Sequence, residues 1–501
     1  MSSIRKNLVA NFLGKFWAAA VSLAFIPVYI RFIGIESFGL VGFYATLLAM
    51  LGVFDLGLST TLNREMARLS ALPGSAQEMR DLLKTLQSVY CLGALMIAVA
   101  VALLAPVIAR HWVNTVGLPT ATVERVVMLM GGAIAFQMLA GFFSGGLLGS
   151  QRQVSCNVLG AAVATLRAVG AIAVLAFVNP TVTAYFVWQV ISNLAGVLLV
   201  SLVLWRGMPG TGRRAAFRGD LLASVWRFMA GMSATSAVGL LLNQTDKLVL
   251  SKMLTLDRFG YYALAGTVAA GLYYLGNPVF TAFFPSFTHH LAKGDDPGLR
   301  AQYHKAAQVL SVVVLPVAGV LVFFPKHVML AWTMNPATVA NTHELVRLLS
   351  LGAAMNLLAS IPYGMQLAHR WTRLGVIANA IAAVILLPAL YISVGRYGAI
   401  GAAAVWVALN AGYILFYVQA MHRRILPGEQ WGWYFRDVLP PVAAVSIVGA
   451  VALLLVREIP FRAGLLLQLA GVYTAMAAGA LLAVPGVKAA LSQALSGKRF
   501  A

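Results

Sequence analysis

The chain has 501 residues, of which 60% are hydrophobic and 10% charged, with a mean hydropathy of +0.84 and a formal net charge of +21. A soluble domain carries about 25% charged residues, so an ordinary soluble enzyme is excluded, as are acidic disordered tails, collagen-like repeats and disulfide scaffolds. The cations sit in short breaks between long apolar runs rather than on a soluble basic face, which is how a polytopic membrane protein places positive charge and not how a nucleic-acid-binding surface is built.

A helix needs about 20 apolar residues to cross the hydrocarbon core. Fourteen such runs are read in chain order, near 10–30, 38–62, 85–108, 126–149, 155–177, 182–205, 228–250, 259–288, 306–325, 345–368, 374–394, 398–420, 438–456 and 463–484. The first contains Lys15, lacks a small-residue cleavage site and runs on into Arg31, so it is not read as a cleaved signal peptide. The connections are short, the longest being the stretch 63–84, and an extramembrane catalytic domain has nowhere to sit. With Arg5 and Lys6 in the cytoplasm, alternate loops hold about 23 basic residues inside and about 10 outside. About three more, Lys15, Arg167 and Lys247, fall within spans. The densest inner cluster is Arg206, Arg213, Arg214, Arg218 and Arg227, and an even number of spans returns Lys488, Lys498 and Arg499 to the cytoplasm.

The first half resembles the second at an offset of about 220 residues. Arg31, Glu36, Phe38 and Gly39 line up with Lys252, Asp257, Phe259 and Gly260; further on, Arg80 matches Arg300, Trp112 matches Trp332 and Glu124 matches Glu344. The expected fold is an all-α polytopic integral membrane protein with about 14 transmembrane helices. It comprises a six-helix lobe over 1–205, a basic cytoplasmic linker over 206–221, a second six-helix lobe over 222–425, and two additional helices with a cytoplasmic tail over 426–501. Six spans per repeat insert both copies in the same orientation, the arrangement of transporters that alternate access by rocking one lobe against the other.

The run Asn11-Phe-Leu-Gly14, then Ile26-Pro27-Val-Tyr29-Ile-Arg31 and Gly34-Ile-Glu36-Ser-Phe38-Gly39, resembles the polysaccharide biosynthesis transporter family. So do Asp55-Leu-Gly57-Leu58 with Asn63-Arg64-Glu65, Asp246-Lys247-Leu-Val-Leu, Phe259-Gly260-Tyr261-Tyr262 and Gly395-Arg-Tyr-Gly398-Ala-Ile-Gly401. This is the O-antigen flippase branch of the multidrug/oligosaccharidyl-lipid/polysaccharide exporter superfamily, and the pattern extends over about 10–420. The resemblance implies two six-helix lobes, a polar central cavity, and movement of undecaprenyl-diphosphate-linked oligosaccharide across the inner membrane for O-antigen, capsule or exopolysaccharide export. Lipid II flippases of the superfamily also have fourteen spans, whereas many O-antigen flippases have twelve.

An ionisable group at mid-membrane costs about 2.5–3.5 kcal/mol on insertion scales and normally faces protein or a hydrated cavity. An anionic diphosphate headgroup would use such cations. Arg167 lies near the middle of the fifth span, and a guanidinium can grip phosphate with two parallel hydrogen bonds; an interhelical pair or carbonyl contact is the alternative. Lys15, one turn into the first span, either faces a lumen or snorkels to the interface. Arg64 at the inner end of the second span and Lys247 late in the seventh complete the candidate substrate-binding set. Asp246 and Asp55 are candidates for ion coupling, with a proton or Na⁺, or for charge balance; Asp55 would balance Arg64, nine residues on. Arg31 and Lys252 read as interfacial anchors. The spacings Gly141-x-x-x-Gly145 and Gly145-x-x-x-Gly149 read as close helix packing, and His289-His290 is not read as a metal site.

The sequence contains no Gly-x-x-x-x-Gly-Lys-Ser/Thr, no His-Glu-x-x-His and no Gly-x-Ser-x-Gly. It is therefore read as a transporter without cofactor, energised by an ion gradient, the membrane potential or downhill substrate flow. Its expected partners are the lipid-linked oligosaccharide, membrane lipids, and the polysaccharide polymerase and chain-length machinery, with no nucleic acid. The alternatives are a lipid II flippase, a cation-coupled multidrug exporter and, in another class, a membrane-embedded polymerase or glycosyltransferase. Basic residues outnumber acids within the spans, three against two, which favours an anionic substrate over a cationic drug.

Overall fold

The computed structural model describes residues 14, 16–18, 20–55, 57–223, 225, 244–456 and 461–485. Lys15, most of the expected span near 228–250 and the tail beyond 485 lie outside the described residues. Among the described residues there is no strand, only an isolated bridge between Asn114 and Thr255. Helix satisfies every backbone group within the segment, as hydrocarbon demands.

Ten helices among the described residues are long and apolar enough to cross a membrane, against fourteen runs read from the sequence. Part of the difference falls outside the described residues, which leave out most of the run near 228–250 and part of that near 10–30; another part is physical. The segment Arg373–Ile425 counts once but has 53 residues, about 80 Å of helix against a core about 30 Å thick. It is interrupted at Gly398 (φ 59°, ψ −140°). Likewise Ile26–Leu51 is interrupted at Gly34 (φ 79°, ψ 165°). A side chain at either position would clash with its own backbone, so glycine is required where the helix breaks.

The chain parts into two compact units, one ending at Gly260 and one beginning at Tyr261. The first contains α1 (Ile26–Leu51), α2 (Leu58–Ser70), α3 (Ala76–Val107), α4 (Thr120–Gly149), α5 (Gln153–Phe177) and α6 (Val182–Arg206). Helix α4 is the central element and packs on α6, α3 and α2. Its Gly145 and Gly149 face the α2 backbone: a Cβ at Gly145 would sit 2.7 Å from the Ser59 carbonyl, and one at Gly149 would meet Asn63. The small-residue spacing thus brings two helices together, while Gly141 meets nothing. After α6 the chain returns to α3, where Ala216 N–H donates to Asp81 (2.9 Å) and Arg218 N–H to Thr85 Oγ1 (2.8 Å). The two repeated Phe-Gly motifs also meet in this unit: Gly260 packs on the carbonyl of Ile35 and the backbone of Gly39, and Gly39 packs on Leu256.

Helix α7 (Leu256–Lys293) is followed by α8 (Asp296–Phe323), α9 (Pro325–Thr333), α10 (Pro336–Ala368) and α11 (Arg373–Gly412). Then come α12 (Val418–Ile425), α13 (Gln430–Gly432), α14 (Leu439–Leu455) and α15 (Arg462–Ala483). Tyrosines, glycines, Asn277, Pro278 and Pro285 lower the hydropathy of α7, which is not among the ten apolar helices. In the second unit α10 packs between α8 and α11, and α14 and α15 pack on each other and on α8. A buried polar network fixes this attachment. Asp437 is fully buried and takes hydrogen bonds from His304 and from Gln308 Nε2 (2.8 Å). His304 Nε2 lies 3.1 Å from Glu429, which pairs with Arg300 at 2.6 Å. The Arg300 guanidinium, and then His304, hold the Glu429 carboxyl below the usual range.

Candidate functional site

The first unit gathers polar groups where its helices face one another. Tyr29 and Tyr44 lie on α1 on either side of the Gly34 break, Gln137 on α4, and Tyr185 and Asn193 on α6. Tyr44 donates to Gln137 Oε1 (2.8 Å), and Asn193 Nδ2 donates to the Ala133 carbonyl (3.2 Å). Tyr29 and Tyr185 pack edge to face, with centroids 5.4 Å apart. Arg167 on α5 is half-buried beside this cluster, within electrostatic range of Tyr29, Tyr44 and Tyr185.

The backbone around Arg167 is held without its guanidinium. Trp188 Nε1 donates to the Arg167 carbonyl (3.2 Å), and the Tyr29 hydroxyl donates to the Ala168 carbonyl (3.1 Å). One turn on, Gly170 leaves room for the Trp188 indole, which a Cβ would strike. Among the described residues no carboxylate forms an ion pair with Arg167. A cation beside tyrosine hydroxyls, with no acid to neutralise it, is suited to receive an anion.

The other sequence-selected residues occupy different local settings. Asp55 ends a short 3₁₀ turn after α1 and accepts from Ser59 Oγ (2.5 Å) and the Tyr90 hydroxyl (2.7 Å). Arg64 on α2 pairs with its neighbour Glu65 at 2.5 Å, and Arg68 takes the second oxygen of Glu65 at 2.7 Å. Burial raises the Glu65 carboxyl, but the hydrogen bonds from Arg68 and Arg64 outweigh it and hold its pKa below the usual value. Lys247 donates to Gln244 Oε1 at 3.3 Å, three residues back on the same helix. Asp246 is half-buried and has interactions of its own. Lys15 lies outside the described residues.

The second unit holds a polar site that carries no charge. Tyr273 on α7 donates to Asn356 Oδ1 on α10 (3.1 Å), and Asn356 Nδ2 donates to Asn410 Oδ1 on α11 (2.8 Å). Asn410 in turn donates to the Trp406 carbonyl (2.8 Å). Beside this chain opens a cavity of about 180 Å³ lined by Asn356, Ser360, Tyr363, Asn379, Tyr413 and Tyr417, among others. None of these side chains is charged at neutral pH, so charge does not single them out in the sequence. The available signal was the recurrence of Asn and Tyr inside apolar runs, at Asn356, Asn379, Asn410, Tyr413 and Tyr417.

The sequence profile of a family described as polysaccharide biosynthesis protein matches residues 4–290. A Shigella flexneri protein named "Putative O-antigen transporter" is 20% identical over 404 residues, 81% of this chain and 94% of that protein. Among solved structures, the lipid II flippase MurJ in an inward closed conformation matches with a TM-score of 0.69 at 13% identity, covering 94% of this chain and 97% of that one. An inward-facing multidrug resistance MATE family transporter of the MOP superfamily matches with a TM-score of 0.65 at 12% identity, covering 82% and 96%. All three are named as transporters or flippases rather than enzymes. The chain is a multi-pass membrane protein with a transporter fold.

Proposed function

Because this chain belongs to the polysaccharide biosynthesis protein family, we propose that it is a flippase for lipid-linked oligosaccharide. It would move undecaprenyl-diphosphate-linked repeat units across the inner membrane for O-antigen, capsule or exopolysaccharide export. The observation that carries this reading is Arg167: a mid-span cation beside Tyr29, Tyr44 and Tyr185, with no ion-pairing carboxylate among the described residues. A diphosphate offers the matching pair of anionic oxygens, and tyrosine hydroxyls donate to the same group. A cationic drug would meet repulsion there instead.

In this proposal the moving bodies are the lobes 1–205 and 222–425, joined by the basic linker 206–221, with 426–501 as an appended pair of helices. Both termini are cytoplasmic, and access alternates between the two faces. Arg64, Lys247 and Lys15 are proposed to receive the headgroup at other stages, and Asp246 or Asp55 to take a proton or Na⁺. The Ser59 and Tyr90 hydroxyls donate to the Asp55 carboxylate and hold it in place without neutralising it, which also supports Asp55 as a polar anchor between α2 and α3. The polymerase and chain-length machinery are proposed as partners downstream.

The shared fold with MurJ, over 94% of this chain, supports lipid II as the second reading, since that substrate is also a prenyl diphosphate bearing sugars. Deleting the gene and extracting the lipids separates the possibilities. Complete repeat units should accumulate on undecaprenyl diphosphate at the cytoplasmic face. Accumulated lipid II with cell lysis would select the second reading. Drug hypersensitivity with normal surface glycan would overturn both, and single repeat units displayed outside would point to a polymerase.

A further inference from the structure

The cavity in the second unit has a composition unlike the Arg167 cluster. Its named lining residues are Asn356, Ser360, Tyr363, Asn379, Tyr413 and Tyr417, with Gly375 at its edge and Ala359 completing the wall. No carboxylate, lysine, arginine or histidine lines it. A cation would find no counter-charge there, and a diphosphate no cation to neutralise it. The groups are neutral donors and acceptors interleaved with aromatic rings, the chemistry that suits a polyol with apolar C–H faces. Its volume of about 180 Å³ corresponds to roughly six waters at their liquid volume, enough for about one sugar ring.

The frame is fixed and its donors are left over. Asn356 is held by Tyr273 on one side and Asn410 on the other (3.1 and 2.8 Å). Tyr413 donates to Asn379 Oδ1 at 3.1 Å, so the carbonyl of that amide is occupied. Its Nδ2 hydrogens and the Tyr363 hydroxyl make no hydrogen bond among the described residues. Gly375 borders the space: a Cβ there would make ordinary van der Waals contact with Tyr417 Oη (3.8 Å) and Tyr363 Cε2 (3.9 Å), so a larger side chain at this position would project among the lining residues.

We infer that this cavity is a subsite for a neutral sugar ring of the transported headgroup, bound through Asn379, Asn356 and the hydroxyls of Tyr363 and Tyr417. The inference rests on the flippase reading and adds a recognition site separate from the diphosphate. With the proposed topology the site lies in the cytoplasmic half of the membrane, because its residues cluster near the α10–α11 connection and the end of the twelfth span. A sugar read there is read on loading.

The test uses the full chain in lipid nanodiscs with two probes, farnesyl diphosphate and farnesyl-diphospho-N-acetylglucosamine. Asn379→Leu removes donors, and Gly375→Leu fills the space without removing any hydrogen bond. Each variant is expected to weaken the sugar-bearing probe about tenfold, the effect of one or two lost hydrogen bonds, and to leave the sugarless probe unchanged. Arg167→Ala should weaken both probes alike. If both cavity variants bind the two probes as wild type does, or weaken both probes equally, the subsite does not exist although the flippase reading stands. The same holds if wild type does not distinguish the probes. If wild type binds neither probe, the flippase reading itself fails and this inference with it.

Discussion

Arg167 gives the sharpest prediction, because a structural role and the proposed substrate role predict different outcomes for stability and transport. An arginine at mid-membrane opposes folding by about 2.5–3.5 kcal/mol on insertion scales. If it served the fold, a partner should offset that term, and removing it would leave a buried acid unpaired, a loss of about 3–5 kcal/mol. No such acid pairs with it among the described residues, and the α5 backbone is pinned by Trp188 and Tyr29 independently of the guanidinium. Arg167→Ala should therefore fold at least as well as wild type. Its substrate loses a charge-assisted pair of hydrogen bonds worth about 1.5–3 kcal/mol, which is roughly 10- to 150-fold in affinity. Arg167→Lys keeps the charge but not the planar fork and should fall between. The assay is surface polysaccharide in a deletion strain at matched protein abundance, paired with apparent melting temperature in detergent. A variant that exports normally would refute the reasoning. So would one whose export falls only as far as its abundance and melting temperature fall.

Three further outcomes are expected. Gly34→Ala places a Cβ on a backbone at φ 79°, ψ 165°, a region almost confined to glycine, and should lose about 1–3 kcal/mol. Gly52→Ala, at helical φ with open space around it, should not, and the two can be compared by folded yield and melting. The Glu65 pKa is lowered on folding, so its contribution to stability is present above its unfolded pKa of about 4.3 and is lost as pH falls through the lowered value. Glu65→Gln should flatten that acid limb in a pH series of melting temperatures, and an unchanged limb would exclude the Arg68 and Arg64 contacts as its source. Asp437→Ala removes the buried carboxylate to which His304 and the half-buried Gln308 donate and should destabilise by about 3 kcal/mol or more. Limited proteolysis should then release the segment containing α14 and α15 early, and a wild-type cleavage pattern would contradict the anchoring role.

The fold was legible where it depends on periodicity and on landmark residues. Arg80 and Arg300 were matched from an offset of about 220 residues, and they make the same contact: Arg80 Nη1 donates to the Pro209 carbonyl (3.3 Å) and Arg300 Nη1 to the Pro427 carbonyl (3.4 Å). A guanidinium that ties a helix start to the chain leaving a later helix has one geometric job in each copy, so its position survives when most neighbours differ. The break between the first two spans was legible as a gap in hydropathy. Its cause, a positive φ at Gly34, was not, because one glycine among 46 does not announce its torsion angle. The span count was least legible. A helix such as α7 dilutes its apolar residues with tyrosine and glycine, and interrupted helices merge two crossings into one segment.

The candidate site was legible only in its charges, for an energetic reason. A charge in hydrocarbon is costly enough to stand out singly, so Arg167 could be selected from composition alone. Neutral amides and hydroxyls cost less, and they acquire meaning only through their partners. The same triad recurs in each unit: a tyrosine donating to an amide, with an asparagine alongside. It is Tyr44, Gln137 and Asn193 in the first, and Tyr273, Asn356 and Asn410 in the second. Neither triad has a spacing in sequence that betrays it, because its members lie on three different helices. The units diverge in what they add to this shared frame. The first places an arginine beside it, and the second opens an uncharged cavity. A headgroup with an anionic diphosphate and neutral sugars has the same two chemistries, so the divergence between repeats follows the division within the proposed substrate.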